Sequence, residues 1–100
     1  MSLDTATQEL KRRAAAAPSL GYKVKFLLGT DGAIFWDGTA TPAKIDNSTG
    51  DADTTIKIAL GDFEKLLSGN LDPTLAYATG KIKVEGSVGV ALKMANLLGD

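Results

Sequence analysis

The stretch LDPTLAYATGKIKVEG, residues 71–86, carries a short apolar helix followed at once by an alternating strand. Asp72 and Pro73 suit the cap and the first turn of the helix, because proline has no N–H to donate and its fixed φ is already helical. Gly80 suits the left-handed position that often follows a helix, and the period of two in KIKVE is typical of a half-buried strand. This change of period predicts a domain that mixes helices with strands.

Four other segments have the alternation or the composition of strands. Working outward, they are YKVKFLL (22–28), AIFWD (33–37), the weaker AKIDN (43–47) and TTIKIAL (54–60). Between the first two, Asp31-Gly32 predicts a two-residue hairpin turn, since such turns favour Asp-Gly. Together with KIKVE they make five predicted strands.

Helix signals flank these strands. The first predicted helix covers Leu3–Ala17, with Asp4 or Thr5 as its cap. Asp62 is the predicted cap of a short helix that follows the fourth strand. The order is therefore helix, three strands, a crossover strand, short helices, a strand and a C-terminal helix. At 100 residues this order predicts one α+β domain over the whole chain, with helices over one face of a five-stranded sheet.

The composition excludes several classes of function. The chain has neither Cys nor His, which removes disulfides, thiolate and imidazole metal ligands, and the usual Ser-His and Cys-His nucleophile pairs. A net charge of −1 argues against a nucleic-acid binder, because such proteins carry a basic field that neutralises phosphates. We therefore expect no enzymatic activity, no metal and no cofactor.

The expected location is cytoplasmic. The N-terminal letters MSLDTATQEL lack the basic start and apolar stretch of a signal peptide, and no segment approaches the roughly 20 apolar residues that span a bilayer. The basic cluster Lys11, Arg12 and Arg13 suits the negative end of a helix dipole. Contact with a membrane is left open.

The pair Gly80-Lys81 suggests a phosphate loop, but its context is wrong. Such a loop needs a glycine five residues earlier, where this chain has Leu75, and it joins a strand to a helix rather than a helix to a strand. We interpret the pair as the end of a helix and the start of a strand.

The acidic letters DNSTGDAD suggest a calcium loop, but their spacing is also wrong. Counted from Asp46, Gly50 comes one place before the required glycine, and Lys57 stands where the bidentate glutamate belongs. A solvated turn is the favoured interpretation.

Five lysines fall on the strand positions that point away from the predicted helices. An antiparallel sheet often has one wet face, so a solvated surface explains them. They are Lys23, Lys25, Lys57, Lys81 and Lys83.

The final helix, capped by Ser87 and extending to about Leu98, is broadly apolar. Two adjacent stripes at helical spacing leave few positions for water. The helix can pack deep in the core, cover a partner or line a cavity, and periodicity alone leaves all three open. The stripes are Val88, Ala91, Leu92, Ala95 and Leu98, and Val90, Met94 and Leu97.

The stretch DADTTIKIALGDFEKLLSGNLDPTLAYATGKIKVEGSVGVALKMANLL, residues 51–98, resembles the sterol carrier protein 2 (SCP2) type lipid-transfer domain. The resemblance implies a five-stranded sheet with helices over one face and a hydrophobic tunnel between them. It also implies non-catalytic binding of fatty acids, fatty acyl-CoA or sterols. The matching positions are Asp53, Phe63, Leu67, Gly69, Leu71, Pro73, Ala76, Gly80, Lys81, Lys83, Gly86, Ala91 and Lys93.

Two departures from the family pattern bear on the ligand. Animal members often have a glutamine in the final helix where this chain has Ala95, so the resemblance does not imply head-group recognition by that glutamine. The chain ends in LLGD without the peroxisomal tripeptide, so a bacterial-type stand-alone domain is the simplest interpretation.

We therefore expect a carrier whose partner is a lipid or fatty acyl ligand held in an apolar tunnel. The alternative is an accessory protein that presents a lipophilic intermediate to biosynthetic enzymes or assembles them. Transient contact with a membrane or an enzyme fits either role, and a hydrolase is a third, weaker hypothesis. The candidate ligand-binding residues are Phe26, Leu28, Ile34, Trp36, Phe63, Leu67, Leu75, Tyr77, Met94 and Leu97.

Overall fold

A computed structural model describes residues 1–18 and 20–98 of the chain. Their secondary structure confirms the predicted α+β order, with a short 3-10 turn at Gly29–Asp31 added. In chain order the elements are α1 (Leu3–Ala16), β1 (Lys23–Leu27), β2 (Ala33–Asp37), β3 (Lys44–Asp46), β4 (Thr54–Ile58), α2 (Leu60–Leu67), α3 (Pro73–Ala78), β5 (Ile82–Gly86) and α4 (Val88–Leu98).

The five strands form one sheet in the order β3-β2-β1-β4-β5. Strands β1 and β4 are parallel, and the other neighbouring pairs are antiparallel. The register places Val24 beside Trp36 and Phe26 beside Ile34, so the apolar positions of β1 and β2 line one face. This face forms the core against the helices.

The opposite face of the sheet is mainly polar, as the lysine pattern predicts. Lys57 forms an ion pair with Glu85, and the hydrogen bond and charge of Lys57 lower the pKa of Glu85. Phe35 is an exception, because it is only 8% exposed. Gly50, in the loop after β3, lies beside its ring, and Lys25 Nζ donates to the carbonyl oxygen of Gly50 at 3.3 Å.

Local side-chain hydrogen bonds explain where α3 and α4 begin. Asp72 Oδ1 accepts from the N–H groups of Thr74 and Leu75 at 2.9 and 3.1 Å, and the helix then begins at Pro73. Ser87 Oγ accepts from the N–H of Val90 at 3.2 Å at the start of α4. These caps confirm the sequence predictions, as does the φ of +82° at Gly80.

Two cap predictions are wrong. Ser2, rather than Asp4 or Thr5, caps α1, because its hydroxyl accepts from the N–H of Thr5 while Thr5 Oγ1 accepts from the N–H of Ser2. Helix α2 begins at Leu60 without a side-chain cap. Asp62 lies in its first turn, where a negative charge favours the helix dipole.

The two-residue turn predicted at Asp31-Gly32 is also wrong. The last pair of the β1–β2 ladder is Leu27 with Ala33, so five residues connect the strands. Leu28 turns into the core with no exposed surface, and its N–H donates to the carbonyl oxygen of Gly32. Burial of Leu28 therefore decides this connection.

Within the described residues, no helix combines the length and the hydrophobicity that crossing a bilayer requires.

Candidate functional site

Seven of the ten predicted ligand-binding residues lie together in the core between the sheet and the helices. Phe26 from β1 meets Phe63 from α2 with ring centroids 5.3 Å apart and ring planes at 52°, a favourable tilted aromatic contact. The seven buried residues are Phe26, Leu28, Ile34, Trp36, Phe63, Leu67 and Met94.

The remaining three residues lie outside this interior. Leu97 is partly buried at its edge. Leu75 and Tyr77 on α3 are 63% and 39% exposed, so the structure does not bring them to the cluster. Periodicity cannot separate them from Ala76, which is the buried residue of α3, because a helix of six residues has too few turns to define a face.

A pocket opens where the end of α1 meets the end of α4. Its volume is about 360 Å³, and we call it the α1–α4 pocket. Its walls combine apolar residues of both helices with one aromatic residue of the sheet and two arginines. The lining residues are Arg12, Arg13, Ala16, Ala17, Pro18, Trp36, Leu97 and Leu98.

Arg13 holds the helices together at this pocket. Its guanidinium donates to the carbonyl oxygens of Leu67 and Leu98, which are the last residues of α2 and α4. Carbonyl groups at a helix C-terminus lack partners within the helix, and a cation there also favours the dipole. One side chain thus joins α1 to the ends of two other helices.

Arg12 faces solvent beside Arg13, with a side chain that is 70% exposed. Both arginines bond to the carboxylate of Glu9. The hydrogen bond from Arg12, followed by that from Arg13, lowers the pKa of Glu9 to about 2. Glu9 is therefore ionised at neutral pH, and this part of the pocket carries two positive charges and one negative charge.

Trp36 contributes an unpaired polar group. Its side chain has no exposed surface, and its indole Nε1 has no hydrogen-bond partner among the described residues. Buried polar groups in folded proteins are nearly always bonded, so each exception needs an explanation.

A second pocket of about 430 Å³ adjoins the first and shares Pro18 and Leu97 with it. Its other lining residues are Leu20, Lys93 and Asn96. The end of α4 is therefore bordered by space on two sides, and Leu97 stands between the two pockets.

Two further pockets lie elsewhere. One of about 310 Å³ runs beside α3 and includes Leu75, and one of about 470 Å³ lies beside Lys57, Lys81 and Lys83 near Gly80. Both are separate from the buried cluster. Among the described residues, no group of three or more acidic side chains is placed to hold a metal ion.

The sequence interpretation missed Arg12 and Arg13 as lining residues, because their position on α1 was explained by the helix dipole alone. The position of Glu9 could have predicted the ion pairs of these arginines. It stands three residues before Arg12 and four before Arg13, which is the spacing of neighbours on a helix surface. The contacts of Arg13 with α2 and α4 have no such signal.

Comparison with known proteins supports this fold. A model of the SCP-2 sterol transfer family matches residues 3–99. Human sterol carrier protein 2 is 42% identical over 53 residues, which are 53% of this chain and 10% of that protein. The chain spans about a tenth of the length of the curated relatives that it matches.

Solved structures agree in overall shape. Palmitated SCP2L2 from Aedes aegypti has a TM-score of 0.76 at 23% identity, covering 100% of this chain and 96% of that one. The ubiquinone synthesis protein UbiJ-SCP2 has a TM-score of 0.72 at 18% identity, covering 95% of this chain and 90% of that one. At these identities the likeness concerns the fold, while the family match extends over nearly the whole chain. The chain therefore belongs to the SCP-2 sterol transfer family.

Proposed function

We propose that the chain binds a lipid without chemical conversion and carries it in an apolar space between the sheet and the helices. Fatty acids, fatty acyl-CoA and sterol-like molecules are the ligand classes that this proposal includes. The observation that carries it is the α1–α4 pocket, because Trp36 and Leu98 belong both to its wall and to the buried core. An apolar chain that passes this wall meets the apolar side chains of the core.

Burial of an acyl chain provides enough free energy for this binding. Each buried methylene contributes roughly 0.8 kcal/mol, so ten of them contribute about 8 kcal/mol before the cost of ordering the ligand is subtracted. No single strong polar contact is needed.

The end of α4 is the part of the wall that we expect to move. Met94 is fully buried, but its unbranched thioether side chain adapts to irregular spaces. Leu97 is partly buried and has pockets on both sides. Because both side chains belong to α4, displacing them breaks no strand pair.

The comparisons support lipid as the ligand class. The family is named for sterol transfer, and the Aedes aegypti protein is described as palmitated. A carrier role without catalysis is also consistent with a chain that has neither His nor Cys.

The decisive experiment measures bound lipid directly. Native mass spectrometry of the purified protein, followed by lipid extraction, should give about one co-purified or added acyl chain per protein. A protein that is recovered empty and takes up no fluorescent fatty acid contradicts the carrier function.

A matched pair of variants on α4 tests whether the ligand enters at the α1–α4 pocket. Leu97→Glu places a negative charge at the α1–α4 pocket and should reduce fatty-acid affinity by about tenfold or more, because the charge must be desolvated when the chain enters and also repels an anionic ligand. Gly89→Glu places the same charge at an exposed position on α4 and should leave affinity within about twofold. Equal affinities for the two variants argue against this entrance.

The alternative function is an accessory role in the synthesis of a lipophilic molecule. The likeness to UbiJ-SCP2, described as a ubiquinone synthesis protein, favours it. In that role the chain presents its ligand to an enzyme, so a pull-down should recover a biosynthetic enzyme in stable association. Lipid transfer between vesicles without such an enzyme supports the carrier function instead.

A further inference from the structure

We propose that the α1–α4 pocket receives the polar end of the ligand and that this end is a carboxylate. This inference rests on the lipid-binding function proposed above and adds the chemical class and the orientation of the ligand. A fatty acid then lies with its carboxylate near Trp36 and its hydrocarbon chain in the core.

The first reason is the unpaired indole N–H of Trp36. The indole Nε1, Gly38 and Leu20 are neighbours. A Cβ atom placed on Gly38 would stand 3.4 Å from Trp36 Nε1 and 3.1 Å from Leu20 Cβ. This places the N–H near the boundary between the α1–α4 pocket and its neighbour, since Leu20 lines the latter. An indole N–H donates and cannot accept, so its missing partner is an acceptor.

The second reason is the charge around the pocket. The ionic groups of the two adjoining pockets are Arg12, Arg13 and Lys93, all of which only donate. Among residues 1–18 and 20–98, Glu9 is the acidic side chain that bonds to this group, and both arginines already bond to it. The described side chains around the two pockets are therefore three cations and one anion, an excess of positive charge.

Arg12 is the side chain that can turn toward a ligand. Arg13 uses Nε, Nη1 and Nη2 in its bonds to Glu9, Leu98 and Leu67. Within the described residues, Arg12 bonds to Glu9, on its own helix, and its side chain is 70% exposed, so it can move without breaking contacts between helices. We infer that Trp36 supplies a fixed donor and Arg12 a mobile charge.

The donors Trp36 and Arg12 suit a carboxylate better than an uncharged ester group. Hydrogen bonds between an ionised acceptor and its donors are roughly twice as strong as neutral ones. An ester carbonyl satisfies the indole but leaves the excess charge unbalanced. A buried water satisfies the indole equally, which makes water the competing explanation that an experiment must separate.

The direct test follows the indole resonance. Trp36 is the single tryptophan of the chain, so its N–H gives one identifiable signal in a 15N-correlation spectrum. Palmitate at saturation should move this signal, while methyl palmitate, with the same chain length and no charge, should move it less. A signal that stays unchanged when palmitate is bound overturns the inference and favours a bound water.

Affinity measurements add a second, independent test. Wild-type protein should bind palmitate about tenfold more tightly than methyl palmitate, and Trp36→Phe should remove most of this preference. Arg12→Gln should weaken palmitate binding severalfold. Lys11→Gln is the matched control, because it removes the same charge from the exposed neighbouring position of α1, and it should have no effect.

The outcomes separate this inference from the proposed function. If palmitate and methyl palmitate bind equally well, the polar end is not recognised here, yet lipid binding remains. If neither binds, both proposals fail. Because the resonance test uses wild-type protein, it remains decisive even if Trp36→Phe does not fold.

Discussion

The region around Phe63 and the region around Arg13 stabilise the domain by different means, since the first packs α2 on the sheet and the second joins helices to one another. Phe63 and Phe26 are fully buried and touch through their rings. Arg13 joins α1 to the ends of α2 and α4 by hydrogen bonds to carbonyl oxygens, beside an open pocket.

This difference shows how one small domain can be closed at one place and accessible at another. Tight apolar packing has no low-energy alternative arrangement, because any shift opens a void. Beside Arg13, by contrast, the exposed Arg12 and the partly buried Leu97 border open pockets, so they can move without opening a void in the core. We therefore place the moving part of the domain at the α1–α4 pocket and not at the Phe26–Phe63 contact.

Truncation of the packed region should have the largest effect. Phe63→Ala should lower the free energy of unfolding by about 3–5 kcal/mol, since it removes a fully buried aromatic ring. Urea denaturation provides the measurement. Leu75→Ala on α3, where the side chain is 63% exposed, is the control and should change stability by about 0.5 kcal/mol or less. Similar losses for both would contradict the packed interior.

Removal of the arginine bonds should have an intermediate effect. Arg13→Met keeps most of the aliphatic stem but leaves the carbonyl groups of Leu67 and Leu98 without their charged donor, at a cost of about 2 kcal/mol. Arg12→Met, at the exposed neighbouring position, should cost about 0.5 kcal/mol or less. If thermal unfolding shows equal losses for the two variants, Arg13 does not hold the helix ends.

The smallest effect concerns the contribution of Glu9 to the stability of the fold at acidic pH. The pKa of Glu9 falls from its ordinary value of 4.5 to about 2 in the folded chain, so its ion pairs stabilise the fold at pH values above 4.5. This contribution is lost progressively as the pH falls from 4.5 through about 2, because the carboxyl group is protonated first in the unfolded chain and only near pH 2 in the folded one. Glu9→Gln should cost about 1 kcal/mol near neutral pH and only a small part of this near pH 2.

Denaturation of wild type and Glu9→Gln across this pH range checks the prediction. A difference in stability that stays constant from neutral pH to pH 2 would show that the loss has another origin. The Phe63→Ala loss should instead persist over this range, which sharpens the contrast between the two regions.

Much of the fold could be predicted because its signals are local. The caps at Asp72 and Ser87 and the left-handed Gly80 depend on neighbours within a few residues, and each was confirmed. The prediction at Asp31-Gly32 failed because Leu28 is buried and the connection between β1 and β2 is longer than two residues. The prediction at Asp62 failed because α2 begins two residues earlier, at Leu60, without a side-chain cap.

The candidate site was predictable only in part. Phe26, Phe63 and Met94 follow strand and helix periods, and the structure buries them together. Leu75 and Tyr77 satisfy the same apolar criterion but are exposed, since hydrophobicity does not say which side of a short helix faces the core. Whether any of these residues contacts a lipid stays a prediction.

The sequence by itself determined the element types, the apolar interior and the family, because periodicity, caps and motif spacing are properties of neighbouring residues. Only the tertiary structure decided that the ends of α1, α2 and α4 meet at Arg13 and that the indole N–H of Trp36 finds no partner in the described part of the chain. Both depend on contacts between residues far apart in the chain, where packing of the whole core sets which polar groups find one another.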